Sequence, residues 1–193
     1  MTTTLSGPAT GIRWGLRCLV VDAPIRFRSA THAYVSRLAA QDRARYLGDV
    51  ALHNAQSVCD MLDYCARLGI RSFRITSQLF PLATHPVSGY GLGDLAEGEE
   101  VRRRLDRAAA LARDRAIRLS LHPDQFVVLN SVRPEVVASA ITELEWQATL
   151  AELVGADVST RSTSRRSSTS RSVSRSRTGR TTGRPWLRSL SPP

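Results

Sequence analysis

Two His-Pro steps are the residues of this chain best suited to chemistry. One lies in Ala83-Thr84-His85-Pro86, the other in Leu121-His122-Pro123-Asp124-Gln125-Phe126. Proline holds the residue before it extended, and a neutral imidazole held in that way can ligate a borderline divalent metal, several such groups being needed to close a site. A hydrogen-bonded structural histidine is the alternative at both places. Asp22 and Asp124 could add carboxylates, although both also suit turns and caps. Gln125 and Asn130 can hydrogen-bond a base or a phosphate, or simply close their loop, and Ser131 follows directly. His32 lies in an arginine-rich loop and His53 on a helix face; both are expected to be structural or exposed.

The elements that must position these groups alternate. Ile12 to Val21 has the aromatic and β-branched content of a strand and stops before Pro24. From about Arg43 to Leu68, Leu47, Ala51, Ala55, Val58, Leu62 and Ala66 recur at helical spacing, and Gly69 ends the run. Ile70 to Ser77 is the second expected strand, followed by a long loop with Pro81, Pro86, Gly89, Gly91 and Gly93. A second helix is expected from Glu97 to Ala116, with Glu97, Glu99 and Glu100 facing its N-terminal dipole. Ile117 to Leu121 is the third strand. Pro134 then opens a third helix, whose expected apolar face is Val137, Ala140, Ile141, Leu144, Ala148 and Ala151, and Gly155 closes it. Three strand-helix units imply right-handed crossovers and a parallel sheet, hence an α/β fold. In such folds functional groups gather where strands end, and both His-Pro steps sit there.

Charge divides the chain unevenly. The 193 residues carry a formal +10, yet Ser159 to Pro193 alone holds nine arginines and no acidic residue. The first 158 residues are therefore close to neutral, and the high pI reports the tail. Every basic residue is arginine; there is no lysine. Ser, Thr and Arg dominate the tail, which cannot bury enough apolar surface to offset chain entropy and is expected to be disordered. The switch from Ala156-Asp157-Val158, which looks like the approach to a fourth strand, suits an out-of-frame translation of GC-rich coding DNA. Residues 1–11 are likewise expected to be disordered. Cys18, Cys59 and Cys65 form no CxxC pair and are expected to be free thiols. No apolar run approaches the length of a membrane span, and the N-terminus has no signal-peptide pattern, so a cytoplasmic protein is expected.

The blocks FRITSQLFPLATHP (Phe73 to Pro86) and RLSLHPDQFVVLNS (Arg118 to Ser131) resemble those of the UV damage endonuclease family. IRWGL at Ile12 to Leu16 and ELEWQATLAELVGAD at Glu143 to Asp157 fit the same pattern, so the resemblance covers about residues 12–158 and none of the tail. It implies a partial TIM barrel, about three βα units of a (β/α)8 barrel. It also implies a divalent metal cluster, typically manganese, and hydrolytic nicking of double-stranded DNA 5′ of ultraviolet photoproducts. By position, His85 and His122 match metal ligands and Gln125 and Phe126 match the pair that probes the lesion; Asn130 and Ser131 are further DNA-binding candidates. Leu16 stands where a tyrosine is common, and Gln147 where many members have histidine. The family's carboxylate ligands come from later strands. This sequence has no acidic residue after Asp157 and no histidine after His122, so a complete metal site and incision by this chain are not expected.

Two other readings fit part of the sequence. The tail resembles the Arg-Ser segments of RNA-processing factors and could bind phosphates in a salt-dependent, sequence-independent way, making a non-catalytic nucleic-acid-binding protein. A sugar isomerase-like metal barrel would share the architecture, but the HPDQFVVLNS block argues against it.

Overall fold

The computed structural model describes residues 14–121 and 127–156. Residues 1–13, His122 to Phe126 and residues 157–193, which include the arginine-serine tail, lie outside this description. The described residues form a sheet of β1 (Gly15–Arg17), β2 (Ser72–Ile75) and β3 (Arg118–Leu121). With it go helices α1 (His32–Val35), α2 (Ala40–Arg67), α3 (Gly98–Asp114) and α4 (Pro134–Leu153). All strand pairs are parallel and the order is β1-β2-β3, each strand beside its sequence neighbour. A doubly wound sheet would reverse direction at a switch point; this consecutive order is that of a βα barrel wall.

The register explains the division of the sheet into two faces. Leu16, Phe73 and Leu119 lie side by side, and Arg17, Arg74 and Ser120 form the next row. Alternation along β2 buries Phe73 and Ile75 and exposes Arg74. The buried face packs against Leu47, Val58, Leu62 and Cys65 of α2, Val101, Leu105 and Ala108 of α3, and Trp146 and Leu150 of α4. Each large apolar side chain removed from water in this way contributes on the order of 2 kcal/mol. Polar ties from α2 to α3 and its C-cap supplement the packing: Gln56 receives Arg104 of α3, and Asp63 receives Arg115, which caps it.

Each long helix ends on a residue in the left-handed region. These are Gly69 (φ 70°), Ala116 (φ 51°) and Gly155 (φ 62°). In each case the next amide reaches back across the last turn: Ile70 to the Cys65 carbonyl, Ile117 to Ala112 and Ala156 to Ala151, at 2.8–2.9 Å. These bonds satisfy carbonyls that the helix leaves unpaired. Pro134 occupies the first turn of α4, as expected.

Three expectations need correction. The first strand is much shorter than Ile12 to Val21, because Cys18 takes φ 58° and the Leu19 amide folds back onto the Arg17 carbonyl at 2.7 Å. His32, expected in a loop, opens the short helix α1, begun by the Thr31 hydroxyl accepting the Tyr34 amide, which has no apolar period to announce it. Helix α4 is also turned from its expected face. Ala140, Trp146, Gln147, Leu150 and Ala151 are buried, whereas Ile141 and Ala148 are exposed. Apolar residues surround this helix, so periodicity gives no single face.

Candidate nucleic-acid interface

A groove of about 700 Å³ opens where the strands end. Its walls come from the segment after each strand: Ser29 and Ala30 after β1, Ser77 to Pro86 after β2, and Val127 after β3. Helix α4 closes one side with Glu143 and Trp146, and Trp146 meets Phe80 edge-on at 5.7 Å.

Asn54 of α2 holds two of these segments. It is fully buried. Its Oδ1 accepts the Arg28 amide at 2.7 Å, and its Nδ2 donates to the carbonyls of Arg28, Gln78 and Leu79 at 2.9–3.1 Å. One side chain thus replaces the backbone partners that irregular loops lack. Beside it, Ser57 Oγ donates to the Arg26 carbonyl at 2.8 Å, and His53 Nε2 lies 3.0 Å from the same oxygen.

The His85 segment is fixed from α4. Thr84 Oγ1 donates to Glu143 Oε2 at 2.7 Å, and Gln147 Nε2 donates to Glu143 Oε1 at 3.0 Å. Gln147 is buried, and its Oε1 has no hydrogen-bond partner among the described residues. Within the segment, the Gly89 amide donates to the His85 carbonyl at 2.7 Å. A Cβ on Gly89 would stand 2.6 Å from that oxygen and 2.8 Å from the Ala83 oxygen, so only glycine allows this closure.

His85 is held tightly. The amides of Val87 and Ser88 both donate to its Nδ1, at 3.2 and 3.1 Å. The His32 ring stacks on it, centroids 4.4 Å apart and planes 15° from parallel. Ser88 Oγ lies 2.7 Å from His32 Nδ1, so one buried serine contacts both rings. Burial, and secondly the neighbouring His32, hold His85 below its ordinary pKa.

The other expected site residues fall in several places. His122, Gln125 and Phe126 lie outside the described residues. Asn130 is exposed, and Ser131 Oγ accepts the Arg133 amide at 3.2 Å at the approach to α4. Of that block, Val127 lines the groove and Asn130 and Ser131 do not. Asp22 accepts the Tyr64 hydroxyl at 2.8 Å, and Leu16 packs against the core. His32, Asn54, Ser88 and Glu143 were not legible as site residues. The polar position of Asn54 within an apolar helix stripe was the one available signal.

A metal ion does not fit the described residues. Among them no three His, Cys, Asp or Glu side chains gather to hold one. Nδ1 of His85 faces the amides of Val87 and Ser88 and is not open to an ion. The near-parallel rings of His32 and His85 also keep their in-plane nitrogens from converging on one ion.

Parallel strands in barrel order, with a groove of mixed polar and apolar lining at their C-terminal ends, mark the chain as part of a βα-barrel protein. The profile of the family described as UV-endonuclease UvdE matches residues 12–164, six residues past the compositional break. The chain belongs to that family. It is 36% identical over 141 residues to the UV DNA damage endonuclease of Nostoc sp., covering 73% of this chain and 42% of the relative. The Deinococcus radiodurans UV DNA damage endonuclease is 33% identical over 141 residues, covering 73% and 45%. Against the crystal structure of SacUVDE the TM-score is 0.63 at 28% identity, covering 75% of this chain and 46% of the other. The fold is thus a partial TIM barrel, and the chain spans less than half the length of these relatives. Among the described residues no helix is long and apolar enough to cross a membrane.

Proposed function

We propose that this chain is a DNA-repair protein of the UV damage endonuclease kind, whose groove receives double-stranded DNA carrying ultraviolet photoproducts. The observation that carries this reading is the groove itself. It joins Ser77 to Pro86 of the first family-like block and Val127 of the second with α4 at the strand ends. Gln125 and Phe126 would probe the lesion from the segment between β3 and Val127. In a complete enzyme of this kind, manganese ions would supply the hydrolysis of the 5′ phosphodiester. The described residues of this chain contribute binding and orientation.

Incision by this chain alone is not part of the proposal. Past Ala156 the sequence offers Asp157 as its one acidic residue and no histidine, too few ligands for a hard cation that favours oxygen. The test is fluorescence anisotropy of labelled duplexes with and without photoproducts, at moderate salt, alongside nicking of irradiated plasmid with manganese. Tighter binding of the damaged duplex without nicking is expected. Equal affinity for both duplexes, falling steeply with salt, would instead favour the basic-arm reading.

A further inference from the structure

We propose that His85 serves the groove as a hydrogen-bond donor, presenting Nε2–H to a phosphodiester oxygen, and that Ser88 and His32 fix it in that form instead of leaving it free to ligate a metal. The choice of phosphate rests on the function proposed above; the tautomer and the argument against ligation do not.

The geometry leads there in steps. A backbone amide can only donate. Two amides, those of Val87 and Ser88, point at His85 Nδ1, so that nitrogen is an acceptor and the neutral ring's proton must be on Nε2. Ligation through Nε2 would require moving that proton to Nδ1, into the face of two N–H donors. Binding through Nδ1 would require breaking both bonds. Ser88 is buried at 3% exposure, and its hydroxyl is anchored to His32 Nδ1 at 2.7 Å. The donating amide therefore cannot swing away without dismantling the His32 contact. His32 covers one face of the ring at 4.4 Å, which sets the plane in which Nε2–H projects.

The surroundings suit a phosphate oxygen. Ser29, Ser77 and Thr84 line the same groove, and the exposed Arg28 precedes Ser29 at its rim. Among the described residues Glu143 is the one acidic group in the lining, and both of its oxygens already accept hydrogen bonds, from Thr84 and Gln147. A neutral donor adds no desolvated charge, yet gains from an anionic acceptor.

The experiment uses the whole chain, labelled with ¹⁵N. Long-range ¹H–¹⁵N correlation should show Nδ1 of His85 unprotonated and Nε2 protonated, and a titration with manganese should leave His85→Ala with the same metal affinity as the parent. Anisotropy on irradiated duplex, in the presence of a chelator, should show His85→Ala binding about tenfold more weakly. His85→Gln, whose Nε2 can reach a similar position, should recover most of that loss. Protonated Nδ1, or manganese affinity that drops in His85→Ala, would overturn the proposal. Duplex binding by the parent that His85→Ala leaves unchanged overturns the role of His85 alone. Failure of the parent to bind any duplex overturns the phosphate role together with the function beneath it.

Discussion

Arg28 and Asn54 exchange two hydrogen bonds, the Arg28 amide donating to Asn54 Oδ1 at 2.7 Å and its carbonyl accepting from Nδ2 at 2.9 Å. The same Nδ2 reaches Gln78 and Leu79, so Asn54 joins the segments after β1 and β2. Asn54→Ala leaves these buried backbone groups without partners and should destabilise the fold by about 2–4 kcal/mol. Asn54→Asp should be at least as harmful, since a carboxylate cannot donate to the three carbonyls. Urea unfolding followed by circular dichroism measures both; a loss below the cost of a surface substitution would refute the clamp.

The three helix ends give a matched test of backbone strain. Gly69 has φ 70° and no atom within 4 Å of a would-be Cβ. Gly69→Ala should therefore cost about 1 kcal/mol from conformation alone. Ala116 sits at φ 51° with a Cβ already in place, so Ala116→Gly should stabilise by about 0.5–1 kcal/mol. Gly155→Ala should cost more than Gly69→Ala, because its Cβ would approach that of Ala109 to 3.2 Å. Opposite signs at residues 69 and 116 in thermal unfolding are the outcome to look for.

Stability should weaken in mild acid through His85. Burial and His32 lower its folded pKa from the ordinary 6.5, so as pH falls the unfolded chain takes up the proton first. The stability linked to this ring is complete above the unfolded value and is lost as pH falls through the folded one. Urea midpoints for the parent and for His85→Gln, compared between about pH 7.5 and 5, should move so that the parent loses more. Parallel curves would show that His85 is not linked to folding.

The thiols should separate by burial. Cys65 is fully buried and its pKa is pushed up to about 11 by burial, while Cys59 is also raised and donates to the Arg104 carbonyl. Cys18 is only half-buried. A thiol reagent at neutral pH should modify Cys18 quickly and the other two only as the protein unfolds. Rapid modification of Cys65 in the native state would contradict the packing of α2.

What the sequence made legible is local. The βα alternation, Pro134 at the start of α4 and the terminal roles of Gly69 and Gly155 all follow from neighbours within one turn, and each is present. The groove is built otherwise. Thr84 meets Glu143 and His32 meets Ser88 across more than fifty residues, and no period or short motif encodes such pairs. The buried face of α4 failed for a related reason: apolar residues encircle the helix, so tertiary packing alone selects Trp146 over Ile141. The family blocks located the His85 segment, but they did not reveal that its ring is already committed at Nδ1.

The repeated left-handed helix endings carry a consequence for how this chain can change. Arg67 is followed by a strand at Ser72, and Asp114 by one at Arg118, each through the same closure. The opposite connections run from Arg17 to Ala40 and from Ile75 to Gly98; both are far longer, and they differ in conformation, the first carrying α1 and the second two short 3-10 turns. The short turns hold four residues after α2 and three after α3, so an insertion there would displace the strand itself. An added residue in the long connections only enlarges a rim. Room for added length and new binding chemistry therefore lies at one end of the sheet, while the other end keeps its turns short and closes each helix in the same way.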